Sequence, residues 1–234
     1  MKKLRSILLF SSAAILVYFY NRFTRRDSDY PQPNGNETVA SIQQKFDTIV
    51  WNRIAGDLKT AGFETFPKNI SLLVFKEEQL LELYGRQEEK WQLIKTYPFT
   101  AFSGKIGPKL KDGDRQIPEG IYHIEYLNPN SSYHLSAKVS YPNDFDRKKA
   151  TYENRTHLGG DIFIHGKNKT IGCIPLGDKG IEELFIIMSH ALPGKIDVVI
   201  SPWDFRKRED IPEISYIGWG RELYEQIQRA LVDY

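Results

Sequence analysis

The stretch DIFIHGKNKTIGCIPLGDKGIEELF, residues 161–185, carries most of what the sequence says about both fold and chemistry. Ile162 and Ile164 alternate into a short strand whose end delivers His165, and Gly166 then breaks the ladder. Cys173 comes eight positions after His165, directly behind Gly172 and two before Pro175. A tight loop there can return the thiol toward the imidazole. From about Asp178 to Ala191 the segment reads as a helix. A strand, a glycine-bounded return and a helix in succession describe a sheet with a helix packed beside it.

Upstream and downstream the same pattern recurs. ISLLVFK (70–76), QLLELY (79–84), WQLIKTYPF (91–99), GIYHIEYL (120–127), YHLSAKVSY (133–141) and KIDVVISP (195–202) read as short strands, punctuated by Gly-Pro, Asp-Gly, Pro-Glu-Gly and Asn-Pro-Asn turns. A last helix is expected over about Gly220–Val232. The expected fold class is therefore α+β, mainly β: a mixed sheet with peripheral helices over residues 61–234. Before it, Val39, Ile42, Phe46, Ile49, Val50, Ile54 and Leu58 recur at spacings of three and four. They predict an amphipathic helix over 38–60 whose apolar face needs a partner, most simply the domain core.

The start of the chain has a different character. Lys2, Lys3 and Arg5 precede an apolar run from Ser6 to Tyr20, the order of a charged region followed by the hydrophobic core of an export signal. With no A-x-A site after Tyr20, residues 1–26 read as a signal anchor, a cleaved signal peptide being the alternative. Residues 27–37, with Pro31, Pro33 and Gly35, read as a spacer. This puts the domain outside the cytoplasm, where a leftover thiol is either paired between chains or reactive.

Composition narrows the function. The 32 basic and 30 acidic side chains leave a net charge of +2, too little field to hold a polyanion, which argues against nucleic acid. The single cysteine, Cys173, rules out an internal disulfide and a two-cysteine zinc site. His157, His165 and Cys173 fall at equal intervals of eight, but His157 lies in a polar loop with no carboxylate implied behind it, so a zinc hydrolase is only a third reading, and the cysteine chemistry expected here needs neither a metal nor an organic cofactor. The remaining chemistry is nucleophilic. A thiolate attacks, a neighbouring imidazole takes its proton, and a third group orients the ring. Here the carbonyl of Gly166 is the candidate orienter, and Gly172 lets the backbone turn its amides toward an oxyanion. A catalytic Cys173 should then have a depressed pKa, whereas a small buried apolar cysteine should be inert. A strand-end His165 facing a cleft should add little to the core.

His165-Gly166 followed by Thr170-Ile171-Gly172-Cys173 resembles the signature of the L,D-transpeptidase catalytic-domain family, a His-Gly pair followed by Ser/Thr-x-Gly-Cys. The resemblance extends through FSGKIGPKLKDGDRQIPEGIYHI (102–124) and LNPNSSYHLSAKVSYPNDFDR (127–147), covering about residues 70–200 and pointing to the murein-processing branch of Gram-negative periplasm. It implies a β-rich, sandwich-like catalytic domain, a location in the periplasm or anchored at the periplasmic face of the inner membrane, and a cysteine acyl-enzyme formed with a peptidoglycan stem peptide. Carried over by position, Cys173 is the nucleophile, His165 the general base and acid, Gly166 the orienting carbonyl, and Gly172 and Cys173 the oxyanion amides. Pro175 stands where typical cross-linking members have an arginine, and the His-to-Cys loop is shorter than usual. The thioester's fate is thus left open between transpeptidation and hydrolysis that releases a diaminopimelate-linked protein, such as a murein-attached lipoprotein. A non-catalytic murein-binding protein on the same fold is the alternative. The free carboxylate of diaminopimelate calls for a fixed cation, for which Lys105, Lys109 and Arg115 are the candidates.

Overall fold

The computed structural model describes residues 35–234. The anchor or signal peptide expected over 1–26, and most of the spacer expected over 27–37, lie outside the described residues. Within them the chain forms strands β1 (Ile70–Phe75), β2 (Leu80–Gln87), β3 (Lys90–Pro98), β4 (Gly120–Ser131), β5 (His134–Val139), β6 (Phe163–His165), β7 (Ile174–Pro175) and β8 (Asp197–Ser201). These join into one mixed sheet in the order β3-β2-β1-β8-β4-β5-β6-β7. The pairs β1–β8 and β6–β7 are parallel and the rest antiparallel.

Alternation along the central strands builds two cores. Leu72 and Val74 of β1, with Val198 and Ile200 of β8, face one core; Leu73, Phe75 and Val199 face the other. The first is covered by helix α1 (Val39–Thr60) and a later helix, here α3 (Gly177–Ala191), preceded in the chain by α2 (Asp144–Tyr152). The second is closed by α4 (Gly220–Leu231), through Leu223, Tyr224, Ile227 and Leu231 against Trp203 and Phe205. At β1 the sheet is buried on both faces, which is why that strand reads as a nearly unbroken apolar run.

The amphipathic helix finds its partner in the core: Ile42, Phe46, Val50, Ile54 and Leu58 of α1 are all fully buried. Thr38 caps it, accepting from Ser41 N while the Ser41 hydroxyl accepts from Thr38 N. The end of the expected spacer is fastened too, since Glu37 N donates to Asn130 Oδ1 at 2.8 Å and Asn130 Nδ2 donates back to Glu37 O at 2.7 Å.

Strand β4 belongs to both halves of the sheet. Gly120–His123 pair with β8, and from Ile124 onward the strand pairs with β5 across a register irregularity between Ile124 and Tyr126. Beyond this irregularity β5, β6 and β7 continue the sheet to its edge, where His165 and Cys173 lie. Two elements differ from the sequence expectation. Helix α2 has no apolar stripe, only Asp146 and Ala150 being buried, and it starts from the reciprocal Asn143–Asp146 cap. Strand β7 is two residues long and ends in proline, below what alternation can reveal.

Candidate active site

Residues two apart on a strand share a face. Phe163 and His165 of β6 therefore project to one side while Ile164 points into the core. The parallel register sets Ile164 beside Ile174 and His165 beside Pro175, so Cys173, one residue before β7, falls next to Phe163. Phe163 N donates to Cys173 Sγ at 3.4 Å, and the thiol donates to Asp161 O at 3.5 Å. Thiol and imidazole line one cavity of about 340 Å³, together with Tyr133, Ser136, Phe163, Thr170 and the 77% exposed Ile171. No hydrogen bond joins Cys173 to His165 in this arrangement.

The ring of His165 is fixed from two sides. Its Nδ1 donates to Gly166 O at 2.6 Å, which leaves Nε2 as the free acceptor. The Tyr133 ring lies 4.6 Å away, centroid to centroid. Gly166 is held in turn by its N–H, which donates to Tyr133 O at 3.1 Å. A Cβ at Gly166 would lie 2.6 Å from Asp178 Oδ1 and 2.7 Å from Tyr133 O, so glycine is needed for this approach. Contrary to the expectation of a loosely seated strand-end ring, His165 is only 3% exposed.

The loop before the thiol is equally constrained. Thr170 Oγ1 accepts from Gly172 N at 3.1 Å and from Cys173 N at 2.8 Å, and donates to Cys173 O at 2.7 Å. Both amides assigned by resemblance to the oxyanion are thus engaged by the Thr170 hydroxyl. Gly172 has φ +131°, and a Cβ there would meet Gln116 O at 2.9 Å. The 104–120 segment that supplies Gln116 is fastened from below by a fully buried ion pair. Lys76 Nζ donates to Glu119 Oε1 at 2.8 Å and to the carbonyls of Gly107 and Ile117, and Tyr224 OH donates to Glu119 Oε2.

Electrostatics correct the expectation of a depressed thiol pKa. Burial pushes the Cys173 thiol above its ordinary value; the Phe163 N–H, Lys138 and Lys109 oppose that, while Asp161 adds to it. Burial also lowers the His165 pKa, against the smaller opposing effect of its bond to Gly166. Both shifts run in the direction that favours a neutral thiol beside a neutral imidazole.

None of the three cations read from the sequence lines the thiol cavity. Lys109 is buried with its ammonium on Asp114 Oδ1 at 2.6 Å and Lys111 O at 2.9 Å, so its charge is already committed. Lys105 sits over the Tyr216 ring and lines a separate cavity of about 720 Å³ with Gln116, Arg155 and His157. Arg115 is exposed at a φ of +59° and lines neither cavity. The exposed Lys169 lines the thiol cavity, and Lys138, outside the lining, sets its Nζ 2.7 Å from Oδ1 of Asp161, which does line it. Nothing in the sequence singles out Lys138, because it is the register of β5 on β6 that aims it. Among the described residues no three His, Cys, Asp or Glu side chains gather as metal ligands, and His157 is apart from the thiol.

The family model of the L,D-transpeptidase catalytic domain (YkuD) matches residues 69–200. The protein named "Putative L,D-transpeptidase YafK" of Escherichia coli K12 is 36% identical over 162 residues, covering 68% of this chain and 63% of that relative. The O157:H7 protein of the same name matches equally. Among solved structures, the helical cell shape determining protein Pgp2 of Campylobacter jejuni shares 22% identity at a TM-score of 0.48, over 64% of this chain and 55% of its own. Bd1075 of Bdellovibrio bacteriovorus shares 23% at 0.43, over 73% and 56%.

Proposed function

Since the chain belongs to the L,D-transpeptidase catalytic-domain family, we propose that it is a cysteine acyltransferase that acts on peptidoglycan stem peptides through a Cys173 thioester. The observation that carries this reading is the shared cavity of Cys173 and His165, with His165 Nε2 left free by the Nδ1–Gly166 bond. In the reaction, Nε2 takes the thiol proton as Sγ bonds to the peptide carbonyl carbon, so the thiolate forms only at attack. Phe163 N–H, 3.4 Å from Sγ, and the Lys138 charge favour that anion. The carbonyl becomes an oxyanion, which the Gly172 and Cys173 amides could receive once the Thr170 hydroxyl turns away. The C–N bond then breaks as the imidazolium returns its proton to the leaving amine, giving the thioester.

An amine of a second stem or a water next attacks the thioester carbonyl, losing its proton to Nε2, and the departing sulfur takes that proton back. The amine gives a cross-link; water frees the stem as its carboxylic acid, so the net reaction is hydrolysis of the bond to a diaminopimelate-linked peptide or protein, which has already left as the amine in the first step. Pro175 stands where cross-linking members typically have an arginine, so the acceptor side differs from theirs and hydrolysis is the second reading. The same reading assigns the chain to cell wall biogenesis or remodelling in the periplasm, tethered by the apolar run after Arg5.

Incubating purified muropeptides, with and without an attached lipoprotein peptide, with the chain and its Cys173→Ala variant tests this by mass spectrometry. Joined stems identify a transpeptidase, and free stem with released peptide a hydrolase. Products that persist in the variant, or no product from folded protein with an intact thiol, would turn the reading toward a murein-binding protein.

A further inference from the structure

The rim of the sheet carries a charge that the reaction above leaves without a substrate partner. The register pairs Ser136 of β5 with His165 of β6 and Lys138 with Phe163. Lys138, Phe163 and the Cys173 thiol thus form one row across adjacent strands, on the face that also presents Ser136 and His165. Strands lie about 4.8 Å apart, so Lys138 begins about 10 Å from the thiol and its side chain can reach a group one residue away from the attacked amide.

The ion pair that Lys138 makes has unequal partners. The lysine side chain is 12% exposed, with its ammonium 5.0 Å from the Phe163 ring centroid. The Asp161 side chain is 90% exposed, on a residue held at φ +55°, a region that L side chains rarely enter. Asp161 and Phe163, which the Lys138 ammonium approaches, both line the thiol cavity. A fixed cation paired with an exposed anion adds little stability. It is suited to exchange, because an incoming carboxylate can take the place of Asp161 while the lysine stays where it is.

We propose that Lys138 recognises a carboxylate of the acyl donor, one residue or less from the amide that Cys173 attacks, and that Asp161 occupies that position when no donor is bound. The inference rests on the acyl-transfer reading. It assigns to Lys138 the role that sequence reading divided among Lys105, Lys109 and Arg115.

The test uses the full chain with Cys173→Ala, so that binding is measured without turnover. A synthetic stem tetrapeptide in its free-acid form, and the same peptide with its carboxylates converted to carboxamides, are titrated by calorimetry. Lys138→Met should weaken the free acid about tenfold or more and leave the carboxamide unchanged, while Lys138→Arg keeps most of the affinity. Asp161→Asn, which frees the lysine, should tighten the free acid severalfold, and it decides the matter if Lys138→Met does not fold. Equal losses for both peptides, weaker binding by Asp161→Asn, no binding of the free acid at all, or a loss carried by Lys169→Gln instead would each overturn the proposal. Failure of the acyl-transfer reading registers separately, as the absence of a Cys173 adduct on the unmutated chain.

Discussion

Thr170 Oγ1 stands between the two amides of the thiol loop, 3.1 Å from Gly172 N and 2.8 Å from Cys173 N, and closes the turn by donating to Cys173 O. One hydroxyl makes three bonds, so its loss is felt three times. At about 1 kcal/mol net per bond, Thr170→Val should cost on the order of 2–3 kcal/mol, whereas Thr170→Ser should be close to neutral. Chemical denaturation of both variants measures this. Equal stability of Val and Ser would mean that the turn holds without the hydroxyl.

His165 is fixed by Gly166 O and the Tyr133 ring, so glutamine is a fairer replacement than alanine at this buried site. We predict that His165→Gln lowers the rate of Cys173 acylation by about 10²–10⁴ by removing the general base. Adduct formation with a stem-peptide donor, followed by intact mass, reads the rate. A loss below tenfold would remove His165 from the mechanism.

The pH behaviour follows from the directions of the two shifts. The Cys173 pKa is raised by burial, so direct alkylation of the thiol by iodoacetamide should still be climbing with pH where an unfolded control levels off, near the ordinary value of about 8.5. The lowered His165 pKa keeps the imidazole neutral into mildly acidic solution, so the acid limb of acylation should fall below pH 6.5. An alkylation plateau below pH 8 would show a preformed thiolate and contradict this arrangement.

Lys76 tests how the thiol loop is supported from beneath. Its ammonium is buried with Glu119, and desolvation lowers its pKa despite that partner. Lys76→Met leaves Glu119 buried without its cation and should cost about 3–5 kcal/mol. Pairing it with Glu119→Gln should recover part of the loss, as a thermal denaturation cycle would show. Strict additivity would mean that the two groups do not act as a pair.

Helix α1 offers a last check. Phe46 is fully buried in the main core, so Phe46→Ala should destabilise the whole domain by about 3–5 kcal/mol in a single transition. A separate early transition for α1 would indicate a detachable arm.

Much of this fold was legible because its strands are apolar runs bounded by turn residues, and the eight-residue approach of His165 and Cys173 was legible because glycines flank both. What escaped depends on partners. Helix α2 is polar apart from Phe145, Ala150 and Tyr152, so periodicity passes over it. Lys138 faces the thiol through the register of β5 on β6, and a slip of one residue would turn it to the other side. Lys109 looked available in a glycine-rich segment, yet Asp114, five residues on, claims its charge. The depressed thiol pKa expected of a nucleophile ignored how much desolvation the neighbouring strands impose.

The parallel pairing of β1 with β8 joins Ser71 to Asp197 and Phe75 to Ser201 at the centre of the sheet. Neither strand can complete its ladder until almost the whole domain has been made, so this is a topology of distant contacts that folds slowly compared with a helical bundle. Until then β1 presents an apolar strand with an open edge, the kind of surface that aggregates or recruits a chaperone. The chain's vulnerability therefore lies in the interval between synthesis of β1 and arrival of β8.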